Sequence, residues 1–204
     1  MVTYSKFDSA MSSSLLDSNM RLPQRYKTFT KTQFPMVVAT LQKLQESGFY
    51  LGPVTGKEAN AMLAAETTGT FLIRDSSDNR HLFTLCVKTE LGTKNLRIQY
   101  DASSFYLQTD PKNISSVPHF DCVLKLIYYY MPQSKGNTRG GNIYYIHCGK
   151  EKIPLELIKP LSCSLSTLQH LCRKTVNGHL DISSKTDKLP PTLQKFLNDY
   201  DSPI

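Results

Sequence analysis

"GTFLIRDSSD", Gly69–Asp78, is the stretch that decides the fold. Phe71, Leu72 and Ile73 are consecutive apolar residues and read as a short buried strand. The run ends in Arg74, and a charge at the end of a buried strand needs a partner of opposite charge. Asp75 is adjacent in sequence, but successive strand residues point to opposite faces, so Asp75 is not that partner. Two readings stand at this point. Arg74 pairs with some carboxylate elsewhere, as structural ion pairs commonly do. Or it receives a phosphorylated side chain, whose three acceptor oxygens match a planar guanidinium fork that stays charged when desolvated. In the second reading a tight turn over Asp75, Ser76 and Ser77 offers backbone N–H groups and two hydroxyls to the same phosphate. Arg97, on a later strand candidate, closes the other side.

Outward from this stretch, the pattern is helix, strands, helix. "PMVVATLQKLQESG" places Val37, Leu41 and Leu44 at helical spacing, with Pro35 near its start and Gly48 past its end. In "VTGKEANAMLAAE", Thr55 and Glu58 have capping-box spacing, and Ala59, Met62 and Leu63 form the expected inner face. Strand candidates follow at Thr70–Asp75, Leu82–Lys88 and Lys94–Tyr100, joined by short polar turns that predict an antiparallel meander. "SFYLQ" adds a short fourth. "PHFDCVLKLIYYYMP" predicts a helix with Phe120, Val123, Leu124, Ile127 and Met131 on one face, Asp121 in its first turn and Pro132 at its end. A polar loop, "QSKGNTRGGN", then leads to "IYYIH", read as a closing strand. From about 55 to 131 this is an α+β domain, an antiparallel sheet flanked by two helices.

After Pro160 the pattern turns all-helical. Leu165, Leu168, Leu171, Cys172 and Val176 line one predicted helix, with Ser164 or Ser166 as its cap and Asn177-Gly178 as its stop. A last helix starts at Pro190-Pro191 and carries Leu193, Phe196, Leu197 and Tyr200. The segment from about 156 is too short to bury a good core alone. Its apolar stripes therefore either fold back on the main domain or present a docking surface to a partner.

Composition narrows the class. The 204 residues allow one ordinary domain with an appendage, or two small domains. Five cysteines with no C-x-x-C spacing argue for a reducing compartment, against a disulfide frame and against a metal site. The net charge of +7 permits anionic partners, but no basic stripe supports nucleic-acid binding. The chain lacks a long apolar run and so predicts no membrane span, and its N-terminus has no apolar core of a secretory signal. Cys172 and His170 lie two apart on a helix and face different directions, a poor nucleophile–base arrangement.

"GTFLIRDSS", with "GFYLGPVTGKEANAML", "FTLCVK", "KNLRI" and "FDCVLKLIYYYM" in that order, resembles the Src-homology-2 (SH2) domain, a phosphotyrosine-peptide binder. The resemblance runs over 49–147. It implies that Arg74 is the bidentate phosphate ligand, that Ser76 and Ser77 lie in the phosphate loop, and that Arg97 sits beside the ring. Two positions depart from the pattern: Leu51 stands where Trp is usual, and Gly56 where the first domain helix usually opens on a basic residue, with Lys57 one place off. "TLQHLCRKTV" is similar to an elongin-binding box through Leu168, Cys172 and Val176, which recur every four residues on one face. "LPPTL" resembles a cullin-contacting element at Leu189 and Pro190, with Thr192 where that element has a final Pro.

An SH2 domain followed by such a box resembles the suppressor of cytokine signalling (SOCS) family. Residues 1–20, rich in Ser, read as a disordered arm, and the resemblance implies a kinase inhibitory region over 21–34, an extended helix over 35–48, and a SOCS box over 156–203. "RYKTFTKTQF" reads by itself as a plain tail. By resemblance, Lys27, Thr28 and Phe29 would enter the substrate groove of a Janus kinase as a pseudosubstrate, with Phe29 the buried anchor. The expected protein is a cytoplasmic, non-catalytic negative regulator without cofactor. Its expected partners are phosphotyrosine-containing cytokine receptors, Janus kinases, elongin B and elongin C, and a cullin-RING scaffold. The rival expectation is a direct kinase inhibitor whose box does not recruit a ligase.

Overall fold

A computed structural model describes residues 30–31, 33–109, 111–132, 143–148, 151–179 and 189–204. The predicted arm over 1–20 and Lys27, Thr28 and Phe29 lie outside the described residues.

The first helix, α1, spans Phe34–Ser47 and ends at Gly48, whose φ of 83° lies in the left-handed region that favours glycine. Val37, Leu41 and Leu44, the stripe expected from spacing, are buried. The second, α2 (Gly56–Ala64), opens with the expected reciprocal cap: Thr55 Oγ1 accepts the Glu58 N–H, and Glu58 accepts the Thr55 N–H. Ala59 and Leu63 face inward, whereas Met62 is exposed. At 100° per residue Met62 falls on the shoulder of the stripe that Ala59 and Leu63 define.

Strands β1 (Thr70–Asp75), β2 (Phe83–Thr89), β3 (Gly92–Tyr100) and β4 (Phe105–Leu107) form the antiparallel meander. The pleat divides their side chains. Phe71, Ile73, Phe83, Leu85, Val87, Leu96 and Ile98 join the large core with α1 and α3. Leu72 and Cys86 join α2's Ala59 and Leu63 on the other face. Helix α3 is shorter than its periodicity suggests, Val123–Tyr130. Phe120 sits outside it and bridges to Phe105 in extended backbone, so Asp121 precedes the first turn. A half-buried ring paired to a strand edge gains ladder hydrogen bonds, Phe105 N–H to Phe120 O at 2.6 Å and the reverse at 3.0 Å, that one more helical turn would forfeit.

The expected closing strand does not close the sheet. Its residues form β5 (Tyr145–Cys148), which pairs with β6 (Glu151–Pro154) in a separate hairpin. The outer edge of β1 is covered instead by two segments. Residues 49–52 run beside Ile73 and Asp75, with Leu51 N–H to Ile73 O at 2.9 Å and Asp75 N–H to Gly52 O at 2.7 Å. Farther along, β7 (Lys159–Pro160) pairs parallel to Thr70 and Phe71. An edge that would otherwise template another chain is thereby sealed.

The C-terminal helices are α4 (Leu168–His179) and α5 (Pro191–Asn198). Thr167, not Ser164 or Ser166, caps α4, accepting the His170 N–H on its hydroxyl at 3.2 Å. Leu165 precedes the helix, and α4 continues through Asn177-Gly178 rather than stopping there. The buried side of α4 is polar: His170, Arg173 and Asn177. Arg173 pairs with Glu46 of α1 and lies over the rings of Phe196 (4.6 Å) and Tyr200 (4.8 Å). Asn177 Nδ2 donates to the carbonyls of Leu197 and Tyr200. Tyr200 is fully buried and donates its hydroxyl to the Ile204 carbonyl at 2.5 Å. Asp201 pairs with Lys43 of α1 and with Lys125 of α3, the latter at 3.0 Å. Helix α1 is thus shared between the sheet core and the C-terminal segment.

Gly69 opens β1 at φ 85°, and a Cβ there would lie 2.5 Å from Ile158 Cγ1. Gly69→Ala combines a left-handed backbone penalty with a clash against the segment that seals β1. The expected loss is about 2 kcal/mol or more, read as a lower urea midpoint with an unchanged slope.

Candidate functional site

Strand register assembles the site. Arg74 on β1 is opposite Thr84 on β2, and Thr84 is opposite Arg97 on β3. Residues directly opposite in antiparallel pairs share a face, so the two guanidinium stems and the Thr84 hydroxyl lie in one row, the arginines roughly 10 Å apart at their backbones. One step along, Leu72, Cys86 and Asn95 form the next row on the same face. This is the α2 face. Asp75 projects to the opposite side, where it accepts the Tyr50 hydroxyl at 2.5 Å. Burial, and then the Asp75 charge, push the Tyr50 phenol far above its ordinary range.

Arg74 is 5% exposed, and its contacts are all to neutral acceptors. Nε donates to Cys86 Sγ at 3.3 Å, Nη1 to the Asp75 carbonyl at 2.9 Å, and Nη2 to Asn95 Oδ1 at 3.2 Å. Asn95 is itself braced: its Oδ1 accepts the Cys86 thiol at 2.9 Å and its Nδ2 donates to Asn60 of α2 at 3.4 Å. Burial raises the Cys86 thiol pKa, against the opposing pull of Arg74, so Cys86 serves here as a neutral thiol. Among the described residues no carboxylate forms an ion pair with Arg74. The structural ion-pair reading of this arginine therefore has no counter-ion behind it. A buried guanidinium held only by dipoles has the charge and the donors that an anion would need.

The rest of the predicted set surrounds it. Ser76 is buried and accepts the Asp78 N–H at 3.2 Å; Ser77 is exposed on the same turn. Arg97 is 43% exposed at its side chain and reaches Asp78 Oδ2 at 3.5 Å. Gly56, the departure at the start of α2, has a physical reason: a Cβ there would approach Arg74 Nη2 to 3.2 Å. Its absence lets the guanidinium lie against the helix N-terminus, whose partial positive charge also favours anions. Leu51, in the place of the usual Trp, packs on the Ala59–Leu63 cluster. Asn95, Asn60 and Cys86 were not singled out from sequence; the only signal for Asn95 and Cys86 was their two-residue offset from Arg97 and Thr84 in the register, and Asn60 of α2 had none.

A second surface lies on α4. Leu168 is 77% exposed, and Leu171, Cys172 and Val176 are exposed with it. Leu189 is half-buried and Pro190 exposed, Pro190 standing at the start of α5, where Leu193 is also exposed.

Among the described residues, the Ser104–His119–Asp101 group is not arranged for hydrolysis. Ser104 Oγ and Asp101 Oδ2 both approach His119 Nδ1, at 2.9 and 3.3 Å, while Nε2 faces the Ile114 carbonyl at 3.1 Å. A relay needs acid and nucleophile on different ring nitrogens. Among the described residues no group of three or more His, Cys, Asp or Glu could hold a metal, and no helix is long and apolar enough to cross a membrane.

Comparison with known proteins places these features in context. The SH2 domain family matches residues 49–130. The chain is 57% identical over 213 residues to Suppressor of cytokine signaling 3 of Gallus gallus and 51% identical over 229 residues to that of Homo sapiens, each alignment covering the whole of both chains. A solution structure of the SH2 domain of a Monosiga brevicollis CRK/CRKL homolog is 22% identical, with 42% of this chain and 74% of that chain covered and a TM-score of 0.35.

Asn95→Asp would set a carboxylate against Arg74 and fill the site from within. Binding of inorganic phosphate, followed by NMR of the arginine Nε–H, is expected to weaken by about tenfold, while the thermal midpoint holds or rises because the buried charge gains a partner.

Proposed function

The chain belongs to the suppressor of cytokine signalling family, and on that premise we propose that it silences cytokine receptors by gripping a phosphotyrosine segment on the activated receptor. The observation that carries the reading is Arg74: charged, buried, held only by neutral acceptors, and lying against the N-terminus of α2. A phosphotyrosine brings nearly two charges to that point, and the fork can take two of its oxygens at once. Arg97 and the Ser76–Ser77 turn flank the phosphate.

Two further activities complete the proposal. The C-terminal segment, 156–203, acts as a SOCS box. Leu168, Cys172 and Val176 dock elongin C, which brings elongin B, and Leu189 and Pro190 meet a cullin-RING scaffold. The chain is then the substrate receptor of a ubiquitin ligase whose chemistry resides in other subunits. What supports this is the orientation of α4: its polar side is spent on Glu46, Phe196 and Tyr200, and its apolar side is left to solvent. Exposed leucines in a row are costly unless a partner covers them. The segment 21–34, with Lys27, Thr28 and Phe29, inhibits a Janus kinase as a pseudosubstrate. Tethering to a receptor-bound domain raises its effective concentration, so a weak segment suffices.

Arg74→Lys keeps the charge and removes the fork. Calorimetry with a phosphotyrosine peptide is expected to show a loss of about 2 kcal/mol, roughly thirtyfold. Affinity equal to that of the parent chain would dismiss the assigned pocket.

Leu168→Asp combined with Cys172→Ser leaves the buried side of α4 intact. Co-purification with elongins B and C is expected to be lost while phosphopeptide affinity is kept. A complex that survives would mean that the helix docks through another face.

A further inference from the structure

Asp78 sits in the same turn as Ser76 and Ser77, and its carboxylate pairs with Arg97 of the site. Oδ2 lies 3.5 Å from Arg97 Nη2 and 2.9 Å from Arg80 Nη2, and Oδ1 accepts Arg80 Nε at 3.2 Å. The His81 ring reaches the same Oδ2 at 4.0 Å. Hydrogen bonds from the Arg80 side chain and backbone, aided by the Arg80 and Arg97 charges, hold the Asp78 carboxyl well below the usual carboxylate range. It is therefore an anion at any pH at which a cell operates.

The arrangement has an electrostatic consequence. Of the two arginines in the cross-strand row, Arg74 faces only dipoles, whereas Arg97 already has a carboxylate. A phosphate arriving between them meets one available cation and one that is occupied. To gain Arg97 it must displace or share Asp78, and it does so against the repulsion of a like charge on its own loop.

Resting on the phosphotyrosine reading above, we infer that Asp78 is an internal competitor for the phosphate, a specificity-determining residue that pairs with Arg97 and sets the affinity below what the two arginines could reach. It acts through Arg97 and through the loop rather than by touching the ligand's ring. Such a residue makes release fast and makes affinity depend on what the rest of the peptide contributes, because the phosphate alone cannot saturate the pocket.

The loop geometry allows a clean test. Asp78 Oδ1 accepts the Arg80 N–H at 3.0 Å, closing a turn that Asn supports equally well. Asp78→Asn therefore removes the charge and keeps the acceptor. The probe is N-acetyl-phosphotyrosine amide, with N-acetyl-tyrosine amide as the control, titrated by calorimetry into the full-length chain. Asp78→Asn is expected to bind the phosphorylated probe about tenfold tighter at low salt, a gain that shrinks as ionic strength rises. In an Arg97→Gln background the gain is expected to fall markedly, since the cation that faces the phosphate row is gone and Asp78 holds only the exposed Arg80. Asp121→Asn, which neutralises a carboxylate paired to Lys125, controls for net charge and is expected to leave affinity unchanged.

Affinity in Asp78→Asn that is equal to or weaker than that of the parent chain, with phosphate discrimination intact, would overturn this inference and leave the phosphotyrosine site standing. A gain of the same size with Arg97→Gln present would also overturn it, because the effect would then be long-range charge alone. A parent chain that binds both probes alike would overturn the site itself, and this inference with it.

Discussion

Arg74 is buried at the end of a strand with no carboxylate paired to it among the described residues, and much of the domain is arranged to tolerate that. Taking a guanidinium out of water costs several kcal/mol even after relaxation. The cost is offset locally by a thiol, a carbonyl and an amide, each contributed by a different position of the sheet. The amide is braced from α2 through Asn60, and the helix leaves room through Gly56. Asp75, the carboxylate nearest in sequence, is sent to the other face and occupied by Tyr50. The strand pleat thus separates a charge from its neighbour.

The same separation of apolar and polar faces recurs, inverted, in the C-terminal segment. An amphipathic helix ordinarily buries its leucines. Here α4 buries His170, Arg173 and Asn177 and exposes Leu168, Leu171 and Val176. Burial pushes the His170 pKa down, with Arg173 and Lys174 adding to the effect, so the ring is neutral where it stacks edge-on against Tyr200. The interface with α1 is built from directional contacts, Arg173 to Glu46 and Asp201 to Lys43, and from Tyr200 in the common core. Directional contacts select one orientation where a greasy interface would accept several. That orientation leaves the apolar row facing outward.

Periodicity recovered α1, α2 and the first four strands to within a residue or two because each has a local cause: a stripe, a cap, a turn. It overran α3, since the spacing of Phe120 and Met131 matches a helix while their backbones are extended. It misassigned the strand after the polar loop. Nothing local in "YIHC" says whether its partner is β1 or the next segment, and β6 and the two-residue β7 are too short to signal themselves. The site divided the same way. Arg74, Ser76 and Arg97 were legible from a motif. The supporting Cys86, Asn95 and Asn60 were not, because they come from three elements and meet only through the register.

By itself the sequence determined the chemistry available: a strand that ends in an arginine, a polar turn after it, and a C-terminal helix with apolar residues every fourth position. These follow from residue types and spacing, which are local properties of the chain. Only the tertiary structure decided which charges meet. It gave Arg74 neutral partners and set Asp78 against Arg97, and it turned the apolar side of α4 to solvent. Electrostatic pairing depends on distance through space, and distances between elements far apart in sequence are fixed by packing, not by spacing along the chain.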